Sequence, residues 1–180
     1  MSAGLQTWTS RFSLTNDFAF AIRQLYIILF TQLTSTMKTI RTEIQINASP
    51  EKIWAILTDF EQYPVWNPFI KKISGEKKVQ GRLKALIQPY GGKAMEFTPL
   101  IQTYEVNSEL QWLGKLWISG LFDGRHSFKL VPVAQAQTLL IHSEQFSGIL
   151  VPLLWNSLHA PTLKGFELMN QALKERAEKK

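Results

Sequence analysis

The chain has 180 residues, 45% of them hydrophobic and 12% aromatic, with no cysteine and a formal net charge of +6. That is enough apolar mass for one domain with a packed core, and the missing thiols exclude a disulfide scaffold, thiolate zinc ligands and a cysteine nucleophile. The basic residues lie in dispersed pairs, Lys71-Lys72 and Lys77-Lys78, and in a tail from Lys174 where Glu175 and Glu178 interleave, so the charge reads as a solvated surface and no nucleic-acid partner is expected.

Residues 1–36 differ in character, with Asp17 their one acid and Arg11 and Arg23 their bases. The run FAFAIRQLYIILFTQL, Phe18 to Leu33, is shorter than the roughly 20 apolar residues a spanning helix needs, and Arg23-Gln24 interrupts it. We read the segment as sequence ahead of a start at Met37, because MKTIRTEIQINASPEKIW opens like a compact domain. An interfacial helix or weak anchor, making weak membrane contact through residues 18–33, and a transit-like leader are the alternatives. On this reading the domain spans 37–180 and its compartment is the cytoplasm.

From Ile40 to Asn47 apolar and polar residues alternate, which predicts a half-buried strand. Ser49 then suits a helix N-cap, with Pro50 in the first helical position and Glu51 at the positive end of the helix dipole. Ile53, Trp54, Ile56 and Leu57 form the apolar stripe. The stretch DFEQYPVWNPFI, Asp59 to Ile70, follows: Asp59 can cap a second short helix that Pro64 and Pro68 stop. Six strands are expected next, over 71–74, 81–89, 95–106, 109–119, 122–131 and 137–146. Pro99 marks an edge or bulge in the third, and links this short favour antiparallel pairing. The chain ends in an amphipathic helix whose apolar stripe runs from Leu154 through Leu158, Phe166, Met169, Asn170 and Leu173 to Ala177. Pro161 should begin a new helical segment or kink one long helix. The expected class is α+β: a seven-stranded curved antiparallel sheet, two short helices after the first strand, and a long C-terminal helix across the concave face.

Several stretches, in order, resemble one superfamily: ASPEKIWAILTDF after the first strand, YPVWNPFI, FDGRHSFKL, SEQFSGILVPLL and GFELMNQALK. Over about residues 38–178 the chain is similar to the SRPBCC (START/Bet v1-like) superfamily, which includes polyketide cyclase/dehydrase and lipid-transport proteins. The resemblance implies a helix-grip fold with a cavity between sheet and helix for hydrophobic molecules. It implies no shared catalytic residue set, so chemistry has to be argued from this chain's own side chains.

Alternation in the strand from Phe122 to Leu130 turns Phe122, His126 and Phe128 inward, and His126 is a candidate for acid–base work or for holding a ligand's polar end. The next strand is ambiguous. If Leu140, His142, Glu144 and Phe146 face inward, then His126, His142 and Glu144 converge; a shift of one residue turns Leu139, Ile141, Ser143 and Gln145 inward and leaves Glu144 near Arg125 outside. The catalytic candidates are therefore His126 and Glu144. Candidate ligand contacts on the sheet and its flap are Trp66, Phe69, Trp117, Phe122, His126, Phe128 and Phe146. Leu150, Leu154, Phe166 and Met169 face them from the approach to the final helix and from the helix itself. In this reading Tyr63, Val65, Trp66 and Phe69 sit at the pocket mouth, opposite a lip formed by residues 148–155. The three histidines lack ligand spacing, so no metal is expected, and no cofactor motif is present. The expected function is binding or transport of a small hydrophobic ligand, lipid- or polyketide-like, by a monomer. A cyclase/dehydratase-type enzyme is the first alternative and a protein-interaction module the second.

Overall fold

Strand β1, Lys38–Ile46, pairs antiparallel along its whole length with the last strand, so the first and final strands of the domain lie side by side. The structure, a computed structural model, describes residues 20, 22–24, 37–116 and 118–179. The expectation for residues 1–36 falls outside these, except that 20 and 22–24 are helical. Helix α1, Pro50–Thr58, begins as the sequence predicts: Ser49 Oγ accepts from the Lys52 N–H at 3.4 Å and Pro50 occupies the first turn. Asp59 makes no side-chain cap to the following 3-10 turn, Phe60–Gln62. Pro64 starts the short helix α2, Tyr63–Trp66, where the sequence reading had it stop one, because proline's fixed φ suits a helix's first turn.

Among the described residues eight strands follow the fold's antiparallel logic, one more than expected, and they form two sheets where one was expected. Strands β2 (Ile70–Gly75), β3 (Leu83–Ile87) and β4 (Met95–Phe97) make a three-stranded sheet. The larger sheet has the order β1-β8-β7-β6-β5, with β5 Leu100–Glu105, β6 Glu109–Lys115, β7 Asp123–Ala134 and β8 Gln137–Ser147. The expected strand over 95–106 is divided at Thr98-Pro99. Proline has no N–H to give a ladder, so the chain leaves one sheet there and enters the other. A bridge between Arg82 and Leu100, and the Leu83 N–H to Pro99 carbonyl bond at 2.8 Å, keep the two sheets joined.

Helix α3, Val151–Glu178, is continuous, with Pro161 inside it. Its second half lies on the sheet: Phe166, Met169, Leu173 and Ala177 are buried and join Ile40, Ile46, Leu140 and Phe128 in the core. The stretch Asp59 to Ile70 also belongs to the core. Phe60, Tyr63, Phe69 and Ile70 are buried, the Tyr63 hydroxyl donates to the Leu57 carbonyl at 2.8 Å, and Asn67 Oδ1 accepts from the Phe69 and Ile70 N–H groups. It is a packed plug rather than a flap.

Gly165 explains how that plug meets the helix. A Cβ at this position would overlap the Phe69 ring, so the helix and the plug approach closely only because residue 165 has no side chain. Gly165→Val is expected to lower stability by about 1–3 kcal/mol through overpacking. A shift of the urea midpoint at unchanged m-value checks this.

Candidate functional site

Between the first half of α3 and the two sheets lies a cavity of about 430 Å³. Phe69, Ile87, Met95 and Phe97 wall it from the small-sheet side, and Trp112, Gly114 and Gly124 from the large sheet. Leu154, Leu158, Pro161 and Thr162 close it from the helix. The walls are mostly apolar, and the charged residues at them are Lys93, Lys115 and Glu144. The volume lies in the range of small-molecule sites, about 300–1,000 Å³.

Glu144 reaches this wall because β8 presents Thr138, Leu140, His142, Glu144 and Phe146 to the inside. Its register places Glu144 directly beside His126 and His142 beside Phe128 on β7. The alternative facing, with Glu144 near Arg125 outside, is thereby excluded. Gly124 provides the space: a Cβ there would sit 2.5 Å from Glu144 Oε1.

Behind Glu144 runs a chain of buried polar contacts. Glu144 Oε2 lies 3.4 Å from His126 Nδ1, and His126 Nε2 lies 2.9 Å from His142 Nε2. His142 Nδ1 is 2.8 Å from Asn170 Oδ1, and Asn170 Nδ2 donates to Thr42 Oγ1 at 2.8 Å. Aromatic rings enclose the histidines. Trp112 stacks on His126 with centroids 4.8 Å apart and planes 1° from parallel, and Phe166 stacks on His142 at 3.7 Å. Burial, with the neighbouring His126 as the next cause, holds the His142 pKa well below the ordinary histidine value, against a smaller opposing effect of Asn170. His142 is a neutral imidazole at pH 7. Among the described residues no group of three histidine, cysteine or carboxylate side chains is placed to hold a metal ion.

The candidate residues divide into groups. Phe69, Phe122, Phe146, Leu154 and Glu144 line the cavity. His126 does not; it lies one layer behind, 1% exposed, beneath Trp112 and Glu144. Phe128, Phe166 and Met169 are fully buried core, below the cavity and not on its wall. Trp66 packs on Tyr63 at a ring distance of 5.1 Å and is not a lining residue. Leu150 sits at the start of α3 away from the wall, and Trp117 falls outside the described residues. Of the expected mouth residues only Phe69 meets the cavity, because Tyr63 is buried in the plug and Val65 points to solvent.

Sequence reasoning overlooked most of the small-sheet wall, Ile87, Met95, Phe97 and Pro99, and also Trp112, Gly114 and Thr162. One signal for the polar chain was available: Asn170 is the one amide on an otherwise apolar helical stripe.

Comparison with known proteins bears on the fold. Residues 37–178 match the family model described as polyketide cyclase / dehydrase and lipid transport. Among solved structures, a START superfamily protein from Mycobacterium smegmatis is 23% identical, with a TM-score of 0.59 over 78% of this chain and 97% of that one. The Zhui aromatase/cyclase from a Streptomyces species is 12% identical, with a TM-score of 0.65 over 79% of this chain and 94% of the other. Norcoclaurine synthase from Thalictrum flavum, solved with dopamine and hydroxybenzaldehyde, is 13% identical, with a TM-score of 0.60 over 80% and 88%. At these identities the likeness is one of fold. No curated protein sequence matches. Among the described residues no helix is long and apolar enough to cross a membrane.

The depressed His142 pKa has a sign. The unfolded chain takes up a proton near the ordinary value of 6.5 while the folded chain does not. The associated stability is therefore complete above that pH and is lost as the pH falls below it, by about 1.4 kcal/mol per pH unit until the folded value is reached. Urea melts at about pH 7 and about pH 5 check this by linkage. The wild type should weaken on acidification, and His142→Gln, less stable at neutral pH, should show a flatter dependence.

Proposed function

The chain belongs to the polyketide cyclase/dehydrase and lipid transport family, and from that premise we propose that it binds a small hydrophobic molecule, lipid- or polyketide-like, between its sheets and its long helix. The observation that carries this reading is the cavity itself: about 430 Å³, with apolar walls and few charged groups. Sites for small molecules share that make-up, a mainly apolar lining with a small number of polar groups that orient the guest. Burial of the guest's apolar surface supplies affinity, at roughly 25 cal/mol per Å² before the costs of association. Glu144 serves as the polar anchor. The binding unit is residues 37–180.

A second reading, acid–base chemistry of the cyclase/dehydratase kind in the same cavity, is favoured by one observation. Glu144 lies at the wall with His126 in contact behind it, which is the geometry of a carboxyl group able to exchange a proton with a guest. It needs a substrate polar atom within hydrogen-bonding reach of Glu144.

Gly114 gives a clean test of the first reading. A Cβ at this position meets nothing closer than 3.8 Å and Gly114 lies on the cavity wall, so a larger side chain there takes up cavity volume. Gly114→Phe is expected to keep the fold and to lose most of the bound material. Organic extraction and mass spectrometry of the purified full chain should recover a hydrophobic molecule from the wild type and much less from the variant. Equal recovery from both, or none from either under gentle purification, overturns the proposal.

A further inference from the structure

The chain of contacts behind Glu144 fixes where its hydrogens lie. The Thr42 hydroxyl donates to the His142 carbonyl at 3.3 Å, so a lone pair of Oγ1 faces Asn170 Nδ2, which donates to it. The other end of that amide, Oδ1, is then the atom facing His142 Nδ1, and His142 carries its hydrogen there. A neutral His142 has only a lone pair left at Nε2. His126 Nε2, 2.9 Å away, must carry a hydrogen.

This leaves His126 Nδ1 against Glu144 Oε2. A lone pair facing a bare carboxylate oxygen would repel it inside a largely buried site, so one hydrogen occupies the contact. On nitrogen it makes an imidazolium–carboxylate pair, which the stacked Trp112 ring stabilises. On oxygen it makes an imidazole beside a carboxylic acid. Both forms are neutral overall. In both, Glu144 Oε1 is left as an acceptor, with no partner among the described residues, over the bare Gly124 at the cavity wall.

We propose that Thr42 and Asn170 set this polarity, that Glu144 and His126 hold one proton between them, and that the cavity selects an uncharged apolar molecule bearing a hydroxyl group that donates to Glu144 Oε1. The proposal rests on the reading of the cavity as a ligand site. A neutral pair gives an ammonium group no net charge to bind, and Lys93 and Lys115 at the same walls disfavour one further. A methyl ether of the same shape has no hydrogen to give, and it would bury the Glu144 acceptor unpaired. Thr42 and Asn170 do not touch the cavity and act as positioning residues through the two histidines.

Two measurements on the full chain test this. Proton–nitrogen correlation spectra of the histidine rings should show His142 with its hydrogen on Nδ1 and His126 with one on Nε2. Thr42→Val, which keeps the volume and removes the hydroxyl, should lower the share of the Nδ1–H form of His142 with the circular dichroism unchanged. A His142 ring with its hydrogen on Nε2, or tautomer shares that Thr42→Val leaves unchanged, overturns the assigned polarity. For the ligand, β-naphthol should bind about tenfold tighter than its methyl ether, the scale of one hydrogen bond to a partly buried acceptor. Glu144→Met, which keeps the length and removes the acceptor, should abolish most of that preference. Equal affinities in the wild type, or an undiminished preference in Glu144→Met, overturn the selection of a hydroxyl. If neither naphthalene binds while His142 keeps its Nδ1 hydrogen, the polarity stands, and the ligand-site reading falls together with the selectivity built on it.

Discussion

A polar chain buried in an aromatic core has to be complete or it costs more than an apolar one. Here it joins β1, β7, β8 and α3 through Thr42, His126, His142 and Asn170, and each contact needs the next within hydrogen-bonding distance. Asn170 thus fixes how closely the second half of the helix lies on the sheet. Packing of Phe166, Met169 and Leu173 around it supplies the apolar energy of the same junction. Toward its start the helix touches the large sheet through Trp155 on Phe146, without a side-chain hydrogen bond to it among the described residues, and the cavity lies beside that looser junction.

The far wall depends on a different constraint. Thr98-Pro99 ends the small sheet and starts the large one, so the strand predicted as a single piece turns a corner instead. Met95 and Phe97 on one side of the corner and Pro99 itself face the same hollow. The plug from Asp59 to Ile70 contributes Phe69, whose ring has one neighbour in Phe166, 5.3 Å away, and another in the helix at Gly165. Cavity and core therefore share walls, and a guest in the hollow would touch rings that also carry the stability of the fold.

Much of this was legible in the sequence where a single periodicity governed. The alternation of β1 and β7, the Ser49-Pro50 helix start and the stripe of α3 follow from apolar spacing and capping chemistry, and the structure shows them. Strand β8 was not legible because Leu139 and Ile141 balance Leu140 and Phe146. Only pairing with β1 and β7, a matter of long-range register, decides that His142 and Glu144 turn inward. The lining was less legible still. Phe128, Phe166 and Met169 share faces with true wall residues but lie deeper, and depth below a curved sheet has no counterpart in a linear pattern. The small-sheet wall escaped for a related reason, since nothing local announces that Ile87 and Met95 end up across from Leu154 and Leu158.

Asn170 has a property that shape comparison does not register. The oxygen and nitrogen of an amide occupy nearly the same volume, so turning the group over would leave every neighbouring atom where it is. The hydrogens would then run the opposite way through both imidazoles, and the carboxylate at the end would face a neutral ring already able to donate, one proton poorer in total. The charge of the hollow is in this sense written in an orientation and not in an outline. Two chains with superimposable backbones and identical linings could differ by a full unit of charge where the guest sits, according to what stands at the position of Thr42.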